Sequence, residues 1–112
     1  MKKIKVIIKR PGEKPYSTWI SVTDDNIQKT VEGMYGRDRI TEGIITIFNA
    51  FGLEQGLPYN CTIQSAPYLG TVIFAGIQDL GVLYEFADIP IDFQEFKRMF
   101  PDLFKESAKE NL

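Results

Sequence analysis

Apolar and polar residues alternate from the first few positions of the chain. Ile4, Val6 and Ile8 are interleaved with Lys3, Lys5, Ile7 and Lys9, the two-residue period of a strand with one face on a core. Pro11-Gly12 follows, the pair that suits the centre of a type II turn. Thr18 to Val22 then places Trp19 and Ile20 on opposite faces. Residues 3–10 and 15–22 are therefore expected to form a hairpin with a loop longer than two residues. After it the period changes. Ile27, Val31, Met34 and Tyr35 recur at i, i+4, i+7 and i+8, one apolar stripe of a helix lying on a sheet. Thr23 or Asp25 can cap its first turn, Asp25 and Gln28 have capping-box spacing, and Gly33 and Gly36 weaken and end it.

Three further strands are read downstream. Ile40 to Phe48 forms the third, with Gly43 as a bulge. Gly70-Thr-Val-Ile-Phe-Ala-Gly76 is continuously apolar, as expected of a central strand covered on both faces. A weaker strand runs from Val82 to Phe86. Asp92-Phe-Gln-Glu95 is a second capping box, with Phe93, Phe96 and Phe100 facing inward and Pro101 stopping the helix. Residues 102–112 read as a polar, frayed C-terminal tail with Leu103 and Phe104 its apolar residues. The pattern predicts an α+β fold over residues 1–112. It comprises a single small domain, a four- to five-stranded antiparallel or mixed sheet, one main helix packed on it and a C-terminal helix.

Between the third strand and the apolar run lies Asn49-Ala-Phe-Gly-Leu-Glu-Gln-Gly-Leu-Pro-Tyr-Asn60. Its Gly, Pro and Asn residues are those a chain uses to hold a turn in one shape, and shaped surface loops commonly carry binding function. Asn49, Phe51, Gly52, Pro58, Tyr59 and Asn60 are the candidate interface, with Tyr59 its expected anchor, because tyrosine is favoured at the centres of protein interfaces.

Composition narrows the chemistry. With 112 residues, 44% hydrophobic and 25% charged, the chain has enough material for one core without staples. It contains no histidine, which removes the commonest general base, Ser-His-Asp and Cys-His arrangements, and imidazole metal ligation. One cysteine, Cys61, allows neither an internal disulfide nor a tetrahedral zinc site. Phosphate-loop and dinucleotide fingerprints are absent. The apolar run behind the charged start is only Val6 to Ile8 before Lys9 and Arg10, too short for a signal peptide. The uncharged stretch from Gln55 to Gln78 is interrupted by Pro58, Asn60, Gln64 and Pro67, so it is not a membrane span. A cytoplasmic protein, with no cofactor and no membrane association, is the expectation. Asp88, Asp92 and Glu95 offer oxygen ligands for Mg²⁺ or Ca²⁺, but their spacing is what the last helix needs at its start.

Charge is unevenly spread along the chain. Lys2, Lys3, Lys5, Lys9, Arg10 and Lys14 lie near its start, while Ile40 to Phe96 holds no Lys or Arg and seven acids. That split gives either a basic and an acidic end or neighbouring solvated faces.

The pieces Ile4-Lys-Val-Ile-Ile, Pro11-Gly-Glu-Lys-Pro15 and Ile27-Gln-Lys-Thr-Val-Glu-Gly33 leading to Tyr35 carry a resemblance. So do Asn49, Gly52-Leu53, Leu57-Pro58, Asn60 and Gly70 to Gly76. In this order, over about residues 4–100, they resemble the domain-of-unknown-function family numbered 3846, whose members occur in Gram-positive bacteria, their phages and mobile elements. The family commonly reads Leu-Pro-Pro-Asn-Arg, where this chain has Tyr59 and Cys61 at the second Pro and the Arg. Ala50 stands where the family has an acid after its Asn. The resemblance implies the fold and a phage or mobile-element setting.

The first functional reading is a small non-enzymatic accessory protein that binds another protein, as a monomer or homodimer. In it the acidic region, Glu54 and Glu85 included, engages a basic partner. The alternatives are a nucleic-acid-binding protein using the basic N-terminal strand, and a small-ligand or metal-dependent enzyme using the carboxylates.

Overall fold

The computed structural model describes residues 2–81 and 83–105. Its elements are β1 (Lys3–Lys9), β2 (Tyr16–Ser21), α1 (Asp24–Val31), β3 (Tyr35–Thr41), β4 (Ile44–Asn49), β5 (Tyr59–Ile63), β6 (Ala66–Leu69), β7 (Val72–Asp79), β8 (Tyr84–Ala87) and α2 (Phe93–Met99). A 3₁₀ turn, Pro101–Phe104, follows. The fold is α+β. Its main sheet has six strands in the order β2-β1-β7-β4-β3, with β8 beside β7, and β5-β6 form a separate two-stranded sheet. Every pairing is antiparallel.

Alternation along each strand explains the layers. Ile4, Val6 and Ile8 of β1, Ile45 and Ile47 of β4, and Ile73 and Ala75 of β7 form one face and meet Ile27 and Val31 of α1. Ile7, Ile44, Val72 and Phe74 form the opposite face. There α2, the 3₁₀ turn and the β5-β6 hairpin cover them. Phe96 stands edge-on to Phe74 at 4.9 Å between ring centroids and lies 5.0 Å from Phe100. The apolar run in β7 is thus a central strand with both faces buried, as its sequence suggests. The hairpin is fastened by Tyr68, whose buried hydroxyl lies 3.0 Å from Thr46 Oγ1 and donates to Asp38 Oδ2 at 3.3 Å. Burial raises the pKa of this phenol.

The local expectations hold in part. Glu13 N–H bonds to Arg10 C=O at 3.1 Å with Gly12 at φ 76°, closing the turn read from Pro11-Gly12. Thr23 caps α1, its side chain accepting from Asn26 N–H, and Asp92 caps α2 by accepting from Glu95 N–H. The helix stripe stops earlier than its period suggests. Glu32 takes a left-handed conformation, φ 67°, as the C-cap, so Met34 is exposed and Tyr35 opens β3. The single strand read over Ile40 to Phe48 is instead a hairpin, β3-β4, reversed at Glu42-Gly43, and its register shift lies between Arg39 and Thr41. The weak strand is present as β8, and the split of the third strand into two brings the main sheet to six strands, above the four or five expected. The β5-β6 hairpin has no counterpart among the strands expected from the sequence. Val82, the expected start of the weak strand, and residues 106–112 of the tail lie outside the described residues.

Candidate functional site

The turn-rich segment is fixed from beneath by one side chain. Asn49, the last residue of β4, is buried. Its Nδ2 donates to the carbonyl oxygens of Val31 at 3.1 Å and Glu32 at 3.2 Å and to Gln55 Oε1 at 2.8 Å. Its Oδ1 accepts from Phe51 N–H at 2.7 Å. Two of those acceptors are terminal carbonyls of α1, which have no partner within the helix. Asn49 therefore ties the end of a helix to the turn that follows a strand. A Cβ at residue 33 would fall 2.8 Å from Asn49 Nδ2, so glycine there makes the approach feasible. Within the turn, Gln55 N–H bonds to Phe51 C=O, Gly56 N–H to Leu53 C=O and Leu57 N–H to Gly52 C=O.

A second buried asparagine closes the segment. Asn60 Nδ2 donates to Lys9 C=O at 2.8 Å and Gly70 C=O at 2.7 Å, while Lys9 Nζ donates to Asn60 Oδ1 at 2.9 Å. Of the six candidate residues, Asn49, Gly52 and Asn60 are thus turned inward as framework, and Phe51, Pro58 and Tyr59 reach the surface. Tyr59 is 58% exposed, with its hydroxyl 2.7 Å from Thr62 Oγ1. Sequence reasoning missed two further side chains at this end of the molecule. Leu53 projects from the turn at 79% exposure. Met34, 64% exposed, is joined to the turn by the bond from Ala50 N–H to Met34 C=O. An apolar residue between Gly52 and Glu54 was the available signal for Leu53; Met34 was hidden by the helical period that includes it.

The candidate chemistry is taken up by structure. Cys61 is buried, which pushes its thiol up to about 11 despite the nearby Lys9 cation. A group held that far above neutrality stays a thiol rather than a nucleophilic thiolate. Lys9 is buried as well, and desolvation lowers its pKa, so it is withdrawn from any phosphate contact. Asp88 Oδ1 accepts from Lys5 N–H at 2.9 Å, Asp92 caps α2, and Glu95 pairs with Arg98. No group of three or more His, Cys, Asp or Glu that could hold a metal is found among the described residues. The Asp88 bond also places one acid of that stretch beside Lys5 of the basic first strand. Glu54 lies on the pinned turn, whereas Glu85 lies on β8, which pairs the far half of β7. No helix among the described residues is long and apolar enough to cross a membrane.

Comparison with curated proteins and with solved structures finds no match. The model of one family, described as Domain of unknown function (DUF3846), matches residues 4–100. The matched span runs from β1 to the end of α2 and holds both asparagine anchors and the turn between them, and on that extent the chain belongs to this family.

Proposed function

We propose that the protein is a non-enzymatic accessory module that binds another protein through the pinned turn. The family resemblance supports a phage, mobile-element or bacterial-host setting, and the lone buried cysteine supports a cytoplasmic one. One observation carries the reading. Met34, Phe51, Leu53 and Tyr59 are large, apolar and exposed; the last three are displayed on a segment whose backbone Asn49 and Asn60 hold in place, and Met34 is bonded to that segment through Ala50 N–H. Apolar side chains fixed in advance lose little conformational freedom on binding, which favours affinity. Leu80, Leu83 and Tyr84 are also exposed, at the β7-β8 turn. Their turn is held by Gly81 N–H to Asp79 Oδ1 and Leu80 N–H to Leu83 C=O, an exposed side-chain bond and a backbone bond rather than buried asparagines.

A photocrosslinking residue at position 53, with a second at exposed position 98 as control, tests the reading in a bacterial host. A protein adduct at 53 alone, resistant to nuclease and lost in Phe51→Ser/Leu53→Ser, is expected. Glu54→Lys should weaken the association and Glu85→Lys should not. Equal labelling at both positions, or an adduct removed by nuclease, overturns the proposal.

A further inference from the structure

We propose that the free edge of β2 receives an extended, acidic segment of another protein as an added strand. Backbone direction is the first support. Val22 N–H bonds to Lys2 C=O. In an antiparallel pair the bonded positions alternate, so Tyr16, Thr18 and Ile20 direct their backbone groups to β1 and Ser17, Trp19 and Ser21 direct theirs away from it. The bond from Asn26 Nδ2 to Ser21 C=O agrees with that direction. Ser17 and Trp19 thus turn their N–H and C=O to the side of β2 opposite β1, where no strand among the described residues pairs with it.

The two edges of the sheet are built differently. β3 carries Arg37, Asp38 and Arg39, all exposed, and an interrupted register, devices that discourage strand addition. β2, Tyr-Ser-Thr-Trp-Ile-Ser, holds no charge and no proline, and its register with β1 is unbroken over six residue pairs. It is open to pairing.

Charge selects the occupant. A groove of about 370 Å³ runs along this edge, with Lys3 and Arg10 among its lining residues and no acid among them. Lys3 pairs with Ser21 at one end of β2, and Arg10 donates to the Tyr16 hydroxyl at the other. Two cations thus bracket a strand roughly 17 Å long. An incoming strand with a carboxylate near each end satisfies both. A second copy of this chain, paired antiparallel, would instead set Arg10 of each copy near Lys3 of the other, and like charges oppose that arrangement.

Trp19 is the single tryptophan and stands 57% exposed on the edge strand, so its emission reports on this site. The probes are a synthetic peptide of alternating valine and threonine with glutamate at both ends, and its twin ending in lysine. The glutamate peptide is expected to shift Trp19 emission saturably, at least about tenfold more tightly than its twin, and to weaken with added salt. Ser17→Pro removes an outward N–H without breaking the β1-β2 ladder; it should abolish binding at an unchanged melting temperature. Lys3→Glu/Arg10→Glu, both at the surface rim, should reverse the preference between the peptides and decides the matter even where Ser17→Pro unfolds. No shift, equal binding of both peptides, or a concentration-dependent dimer that Ser17→Pro dissociates overturns the inference. The pinned turn is a separate surface: Leu53→Ser should leave peptide binding unchanged, so either proposal can fail without the other.

Discussion

A buried asparagine that serves four partners from two segments carries more of this fold than its size suggests. Removing the Asn49 side chain leaves the Val31 and Glu32 carbonyls and Phe51 N–H without their bonds, and a buried polar group left unpaired costs about 1–3 kcal/mol. Asn49→Ala should therefore lower the urea midpoint by an amount worth about 2 kcal/mol and loosen residues 50–57, read as faster amide exchange there than in β7. Cys61 makes a different prediction. Its thiol, ordinarily near 9.0, is raised by burial to about 11, so between those values the folded state keeps a proton that the unfolded chain has lost. Stability from this group falls as pH rises through that window. Lys9 acts oppositely: burial lowers its pKa below 10.5, the unfolded chain then binds more protons below that value, and its contribution rises with pH. The Lys9 effect is present in both proteins, so the stability of wild type minus that of Cys61→Ala isolates the thiol. That difference should decline from pH 9 to 11, and a flat difference would show that the thiol titrates alike in both states.

At the scale of elements, the β5-β6 hairpin turns through Gln64 and Ser65, both at positive φ, 51° and 70°. Left-handed backbone costs a residue with a Cβ roughly 1 kcal/mol, so Ser65→Gly should raise the melting temperature by a gain worth about 0.5–1 kcal/mol and Ser65→Val should lower it. The same turn shows why this hairpin escaped sequence reading. It lacks the Asn-Gly or Asp-Gly pair that announces a tight hairpin, and Pro67 argues against a strand. Elements whose signal is local were legible: the β1 alternation, the Pro11-Gly12 turn, the apolar run of β7 and the Asp92 cap. The boundary between α1 and β3 was not. Met34 and Tyr35 continue the helical period by coincidence past Gly33, and the left-handed residue that ends the helix is Glu32, one position before the glycine. The candidate site divides the same way. Turn residues marked the segment, but the inward direction of Asn49 and Asn60 depends on α1, Lys9 and Gly70, partners 10 to 51 positions away.

For the molecule as a whole, β7 is the hinge of the assembly, since both covered faces and three neighbouring strands meet on it. Along one edge its partner changes: β1 pairs it through Phe74, and β8 takes over at Gly76 opposite Ala87. At that junction the chain leaving β8 wedges between the two strands. Asp88 and Ile89 bond to the backbone of Lys5, and Ile89 enters the core shared with Phe96. Only a residue without a side chain fits beside it, because a Cβ at position 76 would lie 2.1 Å from the Asp88 carbonyl oxygen. The obstacle is backbone, which no rotamer change relieves. Gly76→Ala must displace residues 87–89, breaking their bonds to Lys5 and unseating Ile89 from the face that α2 covers. A cost of about 3 kcal/mol or more is expected, the upper end of what overpacking a core brings and a large part of the 5–15 kcal/mol that holds a typical domain together. Gly81→Ala is the control. Its position, unlike that of Gly76, has positive φ, but nothing lies within 4 Å of the added carbon, so its cost should stay near 1 kcal/mol. In hydrogen exchange, Gly76→Ala should quicken residues 84–99 together with β1, because displacing one wedge loosens both elements it joins. Were the two alanine variants to melt alike, β8 and α2 would be joined to the sheet elsewhere than at Gly76.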